Sequence, residues 1–103
     1  MRGINICAAA EAISFARALN VDLAMYYELV NNAAGGSRIF ADDGLELIRG
    51  GITTTLERAD MLERLQKVTQ KARDLNCPLY LGSAAYNVLV LAKRKGGVAR
   101  IFE

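Results

Sequence analysis

The segment that decides the fold is Ile4-Asn5-Ile6-Cys7-Ala8-Ala9-Ala10-Glu11-Ala12-Ile13-Ser14-Phe15-Ala16-Arg17-Ala18-Leu19. Its polar residues are only Asn5, Glu11, Ser14 and Arg17, and they do not fall on one stripe. A helix that is apolar nearly all round has to be covered on most of its sides. The small side chains Cys7 to Ala10, Ala12, Ala16 and Ala18 let other helices approach closely. The segment therefore predicts a long central helix with the rest of the domain packed around it.

Outward from that helix, the apolar spacing stays helical and no strand alternation is present. Asp22 is a good N-cap for a second helix carrying Leu23, Tyr26, Tyr27 and Val30. That helix should end near Asn32, before Gly35-Gly36, which can take the left-handed conformation that stops helices. A short third helix over 42–49 presents Leu45 and Ile48. The fourth starts at the capping-box pair Thr54 and Glu57. Leu56, Ala59, Leu62, Leu65, Val68, Ala72 and Leu75 then recur every three or four residues. Its other face is charged, with Asp60/Arg64 and Glu63/Lys67 at ion-pair spacing. Pro78 separates it from a fifth helix over 79–95, closed by Gly96-Gly97, and Val98 to Glu103 form a tail. The fold class expected is all-α, one domain spanning residues 1–103, with about five helices and no internal repeat.

Composition sets further bounds. With 103 residues, 52% hydrophobic and 23% charged, the chain suits one modest core and not disorder. A net charge of +2 gives no field to gather nucleic acid or an acidic membrane. The Lys93-Arg94-Lys95 cluster suits the carbonyl end of a helix better than a phosphate backbone. Cys7 and Cys77 stand far apart and there is no histidine, so neither a zinc site nor a disulfide framework is expected. No apolar run reaches the ~20 residues of a membrane span, and the start has no signal-peptide pattern. These features fit a soluble, cytoplasmic protein.

Three segments, in order, resemble the C-terminal helical domain of the β-hydroxyacid dehydrogenases, which is like that of 6-phosphogluconate dehydrogenase. Ala8-Ala9-Ala10-Glu11-Ala12-Ile13 with Ala18-Leu19-Asn20-Val21-Asp22 is similar to the family's long inter-domain helix. Leu29 to Arg38 is similar to its L-N-x-x-x-G-x-S loop, and Cys77 to Ala85 to the P-L-x-x-x-A segment opening a late helix. The resemblance to 3-hydroxyisobutyrate and L-threonate dehydrogenases implies an oxidoreductase-derived domain that serves dimerisation and substrate closure.

The family's G-x-G-x-x-G dinucleotide loop and S-x-G-G substrate loop are not found in this sequence. Alignment from Glu11 places the family's K-x-x-x-N motif just before Met1. No cofactor binding and no hydride transfer are therefore expected from this chain alone. The family's Lys-Asp pair in the fourth helix falls on Glu63-Arg64, and a carboxylate there would repel an anionic ligand.

Candidate site residues are few. Glu11 is either a structural residue within the central helix or, if buried without a cation, a raised-pKa general acid. Gly36-Ser37-Arg38 either closes on a substrate carboxylate or is a helix stop followed by an N-cap serine. Tyr26, Tyr27, Tyr80 and Tyr86 line a pocket or fill the core. No metal site is expected.

The main functional reading is the helical half of a dehydrogenase. The alternative is a freed domain binding a small apolar molecule at a dimer pocket, as a cofactor-free isomerase or cyclase using a carboxylate and tyrosines. A homodimer is expected through the first helix around Cys7, Ala8 and Ala12, unless the tail from Val98 to Phe102 folds over that strip.

Overall fold

The computed structural model describes residues 1–49, 55–98 and 101, with side chains for all of these except 55–59. Five helices follow in order: α1 (Arg2–Ala18), α2 (Leu23–Asn31), α3 (Arg38–Ile48), α4 (Thr55–Asp74) and α5 (Tyr80–Lys95). The described residues contain no strand. The all-α class and the order of elements are those the apolar spacing predicts.

α1 touches each of the other four helices and is the centre of the domain. Ile6 and Ile13, two turns apart, are completely enclosed, and Cys7, Ala9, Ala10 and Ala16 are buried beside them. Phe40 and Leu47 of α3, Met61 and Leu65 of α4, and Ala85, Leu89 and Ala92 of α5 complete the core. Close approach is enforced at Gly3, where a Cβ would lie 2.7 Å from Leu65 Cδ1. The Arg17 guanidinium donates 2.7 Å to the Ile48 carbonyl, which ties the end of α1 to the end of α3. Tyr27 stacks on Phe40 with ring centres 5.6 Å apart, and its hydroxyl donates to the Ala41 carbonyl.

Several boundaries follow their expected chemistry. The Asp22 side chain accepts from the Ala24 and Met25 amides at 3.0 and 3.3 Å. Ser37 Oγ accepts from the Phe40 amide at 3.0 Å and caps α3. α3 therefore starts at Arg38 rather than 42, because the serine cap lets Arg38 to Ala41 join the helix and bury Phe40.

The helix stops differ from expectation. α2 ends at Asn32 with an ordinary φ of −97°, without a left-handed glycine. Gly36 is needed for space instead, since a Cβ there would come within 2.6 Å of the Val30 carbonyl oxygen. Among the described residues, the positive-φ positions are Asn20 (φ 59°), Asn76 (φ 54°), Gly96 (φ 89°) and Gly97 (φ 153°). After Asn20 and Asn76, Val21 and Cys77 donate back to the Ala16 and Ala72 carbonyls and close the helix ends. The Thr54–Glu57 capping box lies outside the described residues.

The surface of α1 is not quite the one expected. Cys7 faces inward, with its thiol 3.9 Å from the Ala85 carbonyl, because that side of the helix meets α5. Ala12 is half-buried, while Ala8, Phe15 and Leu19 are exposed. Val98 of the tail is buried and Ile101 packs on the same core, so these described tail residues do not leave Ala8 covered. Among the described residues, no helix is long and apolar enough to cross a membrane.

Two predictions follow from this packing. Left-handed backbone costs an ordinary side chain roughly 1–2 kcal/mol and asparagine less. Asn76→Ala should thus lower unfolding free energy by about 1 kcal/mol while Asn76→Gly does not, as read from urea midpoints. Loss of stability in both variants would contradict the assignment.

The thiols should also behave differently. Burial, reinforced by the Glu11 carboxylate, pushes the Cys7 thiol from 9.0 to about 11. The folded state then holds the proton more tightly than the unfolded chain. This stabilisation is complete below pH 9 and is lost as pH rises toward 11. At about pH 8 a disulfide reagent should modify exposed Cys77 promptly and Cys7 only after denaturation. Equal rates for the two cysteines would refute the packing of α1.

Candidate functional site

A concavity lies where α1 begins, α4 passes and α5 begins. The α1 side contributes Met1 to Ile4. α4 contributes Asp60, Met61, Arg64, Leu65 and Val68, which lie along one side of the helix at spacings of one, three and four. The turn and first residues of α5 contribute Pro78 to Gly82. Pro78 ends the preceding turn, and Leu79 stands at the N-cap with no side-chain cap. The pocket is open to solvent on one side and has a volume of about 600 Å³. Gly3 matters here too, because its lack of a side chain admits Leu65, which forms part of the wall.

The walls are mainly apolar. Among the described residues, charge enters through Arg2, Asp60 and Arg64. Arg64 Nε lies 3.2 Å from Asp60 Oδ2, and both side chains reach solvent at the rim. Glu63 does not line the pocket and instead pairs with Lys67 at 3.2 Å on the solvent face. Glu63 therefore stands outside this pocket, and among the described α4 side chains the cation that meets it is Arg64.

The structure does not gather the sequence candidates into one site. Gly36, Ser37 and Arg38 do not line this pocket. The serine oxygen is engaged in the α3 cap, and the exposed Arg38 guanidinium pairs with Asp42 at 3.6 Å. Glu11 is exposed on α1, so the buried environment that would suit it to acid catalysis is missing. Tyr26, Tyr27 and Tyr86 pack against the core, whereas Tyr80 is exposed at the pocket. Glu11 thus shares no pocket with Tyr80, and the carboxylate that lines the pocket with Tyr80 is Asp60. Among the described residues no group of three potential metal ligands occurs.

Sequence reasoning missed the pocket itself. It assigned Leu65 and Val68 to the core stripe and Arg64 to the solvated face. The available signal was the Asp60/Arg64 pair flanking that stripe, which places charge along the edge of an apolar surface.

Comparison with known proteins fits the helical fold. Residues 1–100 match a family model described as "NAD-binding of NADP-dependent 3-hydroxyisobutyrate dehydrogenase". L-threonate dehydrogenase from Pectobacterium atrosepticum is 32% identical over 96 residues, which is 93% of this chain and 32% of that protein. L-threonate dehydrogenase from Haemophilus influenzae is 31% identical over the same shares. The chain thus spans about a third of the length of these curated relatives. A crystal structure of 3-hydroxyisobutyrate dehydrogenase from Salmonella typhimurium superposes with a TM-score of 0.87 at 28% identity. That alignment covers 98% of this chain and 37% of the other. A helical fold shared almost end to end, with a family model matched over residues 1–100, gives one conclusion: the chain belongs to the 3-hydroxyisobutyrate dehydrogenase family.

Proposed function

We propose that this chain is the dimer-forming, substrate-closing helical part of a hydroxyacid dehydrogenase of the 3-hydroxyisobutyrate and L-threonate group. The observation that carries the reading is the unequal coverage. The match takes in nearly all of this chain but about a third of its relatives. The pocket at the start of α1 is the part of the substrate cleft that the helical domain supplies. Hydride transfer then requires a dinucleotide-binding unit, whose glycine-rich loop this sequence does not contain. The setting is cytoplasmic.

Dimerisation is part of the same proposal. The exposed side of α1 carries Ala8, Phe15 and Leu19, with Phe15 67% and Leu19 59% exposed. α2 adds Met25 and Leu29, which are also mostly exposed. Soluble monomers rarely keep large apolar patches in water. Isologous pairing of two copies covers this one with a single symmetric contact, and the small Ala8 permits close approach.

Two measurements test the proposal. Light scattering at micromolar concentration should give a dimeric mass for the chain and a monomeric mass for Ala8→Arg. A monomeric parent would remove the dimer from the reading. Calorimetry of the chain alone with NAD or NADP should give no binding heat at micromolar concentration. Micromolar binding would show that the helices suffice for the cofactor and overturn the division of labour.

A further inference from the structure

We infer that the pocket between α1, α4 and α5 binds an organic monoanion with a sizeable apolar body, and that Arg64 is its anion contact. The inference deepens the reading of this pocket as part of a substrate cleft and rests on that reading for the pocket's role. Ligand binding itself is argued from the chain's own side chains.

Size comes first. A volume of about 600 Å³ falls within the roughly 300–1,000 Å³ range of pockets that hold small organic ligands. The walls then select the body of the ligand. Ile4, Met61, Leu65, Val68 and Leu79 present hydrocarbon and thioether surface that cannot hydrogen-bond to hydroxyl groups. A polyhydroxylated acid would exchange water for such walls without compensation, whereas an aliphatic or aromatic body gains by leaving water.

Charge selects the head group. Among the described α4 residues of the lining, Arg64 brings a cation and Asp60 a carboxylate. Asp60 engages Arg64 through Nε at 3.2 Å. This contact restrains the guanidinium while its two terminal amino groups keep the planar fork that suits a carboxylate. The arginine lies at the rim, so an anion can remain partly hydrated there while its body enters the pocket.

Calorimetry of the full chain, titrated with decanoate, decanol, decyltrimethylammonium and L-threonate, tests the inference. Decanoate should bind one per chain, with the other three at least tenfold weaker. Arg64→Gln should weaken decanoate by about tenfold, which is a loss of about 1.4 kcal/mol, and leave decanol unchanged. Arg73→Gln, on the same helix but outside this pocket, should match the parent. Amide shifts on decanoate addition should centre on Ile4, Leu65 and Gly82.

Equal binding of decanoate and decanol, no effect of Arg64→Gln in a variant with parental circular dichroism, or shifts centred on Phe15 and Leu19 would each overturn the inference. So would preferential binding of L-threonate or no saturable binding. None of these measurements contains a dinucleotide-binding unit. A failure here therefore leaves the dehydrogenase reading standing, and failure of that reading leaves a measured ligand class.

Discussion

The whole domain depends on the packing of α1 against four other helices. Two isoleucines, Ile6 and Ile13, fill the space between elements, while Gly3, Ala9, Ala10 and Ala16 let the backbones come near. Burying one such isoleucine contributes roughly 1.5–3 kcal/mol, but the alanines matter more for geometry than for transferred area. They set how closely α1 can approach its neighbours. The same packing fixes the pocket, because Gly3 meets Leu65 and both line it. A displacement at the start of α1 would therefore disturb core and pocket together.

That dependence explains how much of the fold was legible in the sequence. A helix apolar nearly all round admits one arrangement in a soluble domain, so the central place of α1 could be read before any contact was known. The Asp22 cap and the stop at Gly96 were equally local and equally readable. The start of α3 was harder. Arg38 to Ala41 precede two aspartates and a glycine, and only the tertiary burial of Phe40 makes the extra turn worth forming. Gly44 in mid-helix looks unfavourable in isolation. Against the Tyr27 ring, 3.1 Å from where its Cβ would stand, it is the residue that fits.

Helix stops teach a similar lesson. Paired glycines attract attention in a sequence, yet α1 and α4 both end on left-handed asparagines. Asparagine tolerates that backbone because its short polar side chain can bond locally. At Gly36 it is the nearby Val30 carbonyl, not the sign of φ, that demands glycine. The sequence marks that a glycine stands there but not which of the two reasons applies.

The pocket was illegible for a more general reason. Periodicity shows which residues share a side of α4, but the edge of that side acquires meaning only when α5 folds back beyond Pro78. Successive residues on a helix lie ~100° apart. Glu63-Arg64, set beside the Lys-Asp of the resembling family, reads as a reversal of charge along the chain. In three dimensions the step from 63 to 64 crosses from solvent to pocket. Glu63 meets Lys67 outside, and Arg64 brings its cation to the rim beside Asp60. At position 64, where the resembling family has its aspartate, this chain thus presents a cation to the pocket.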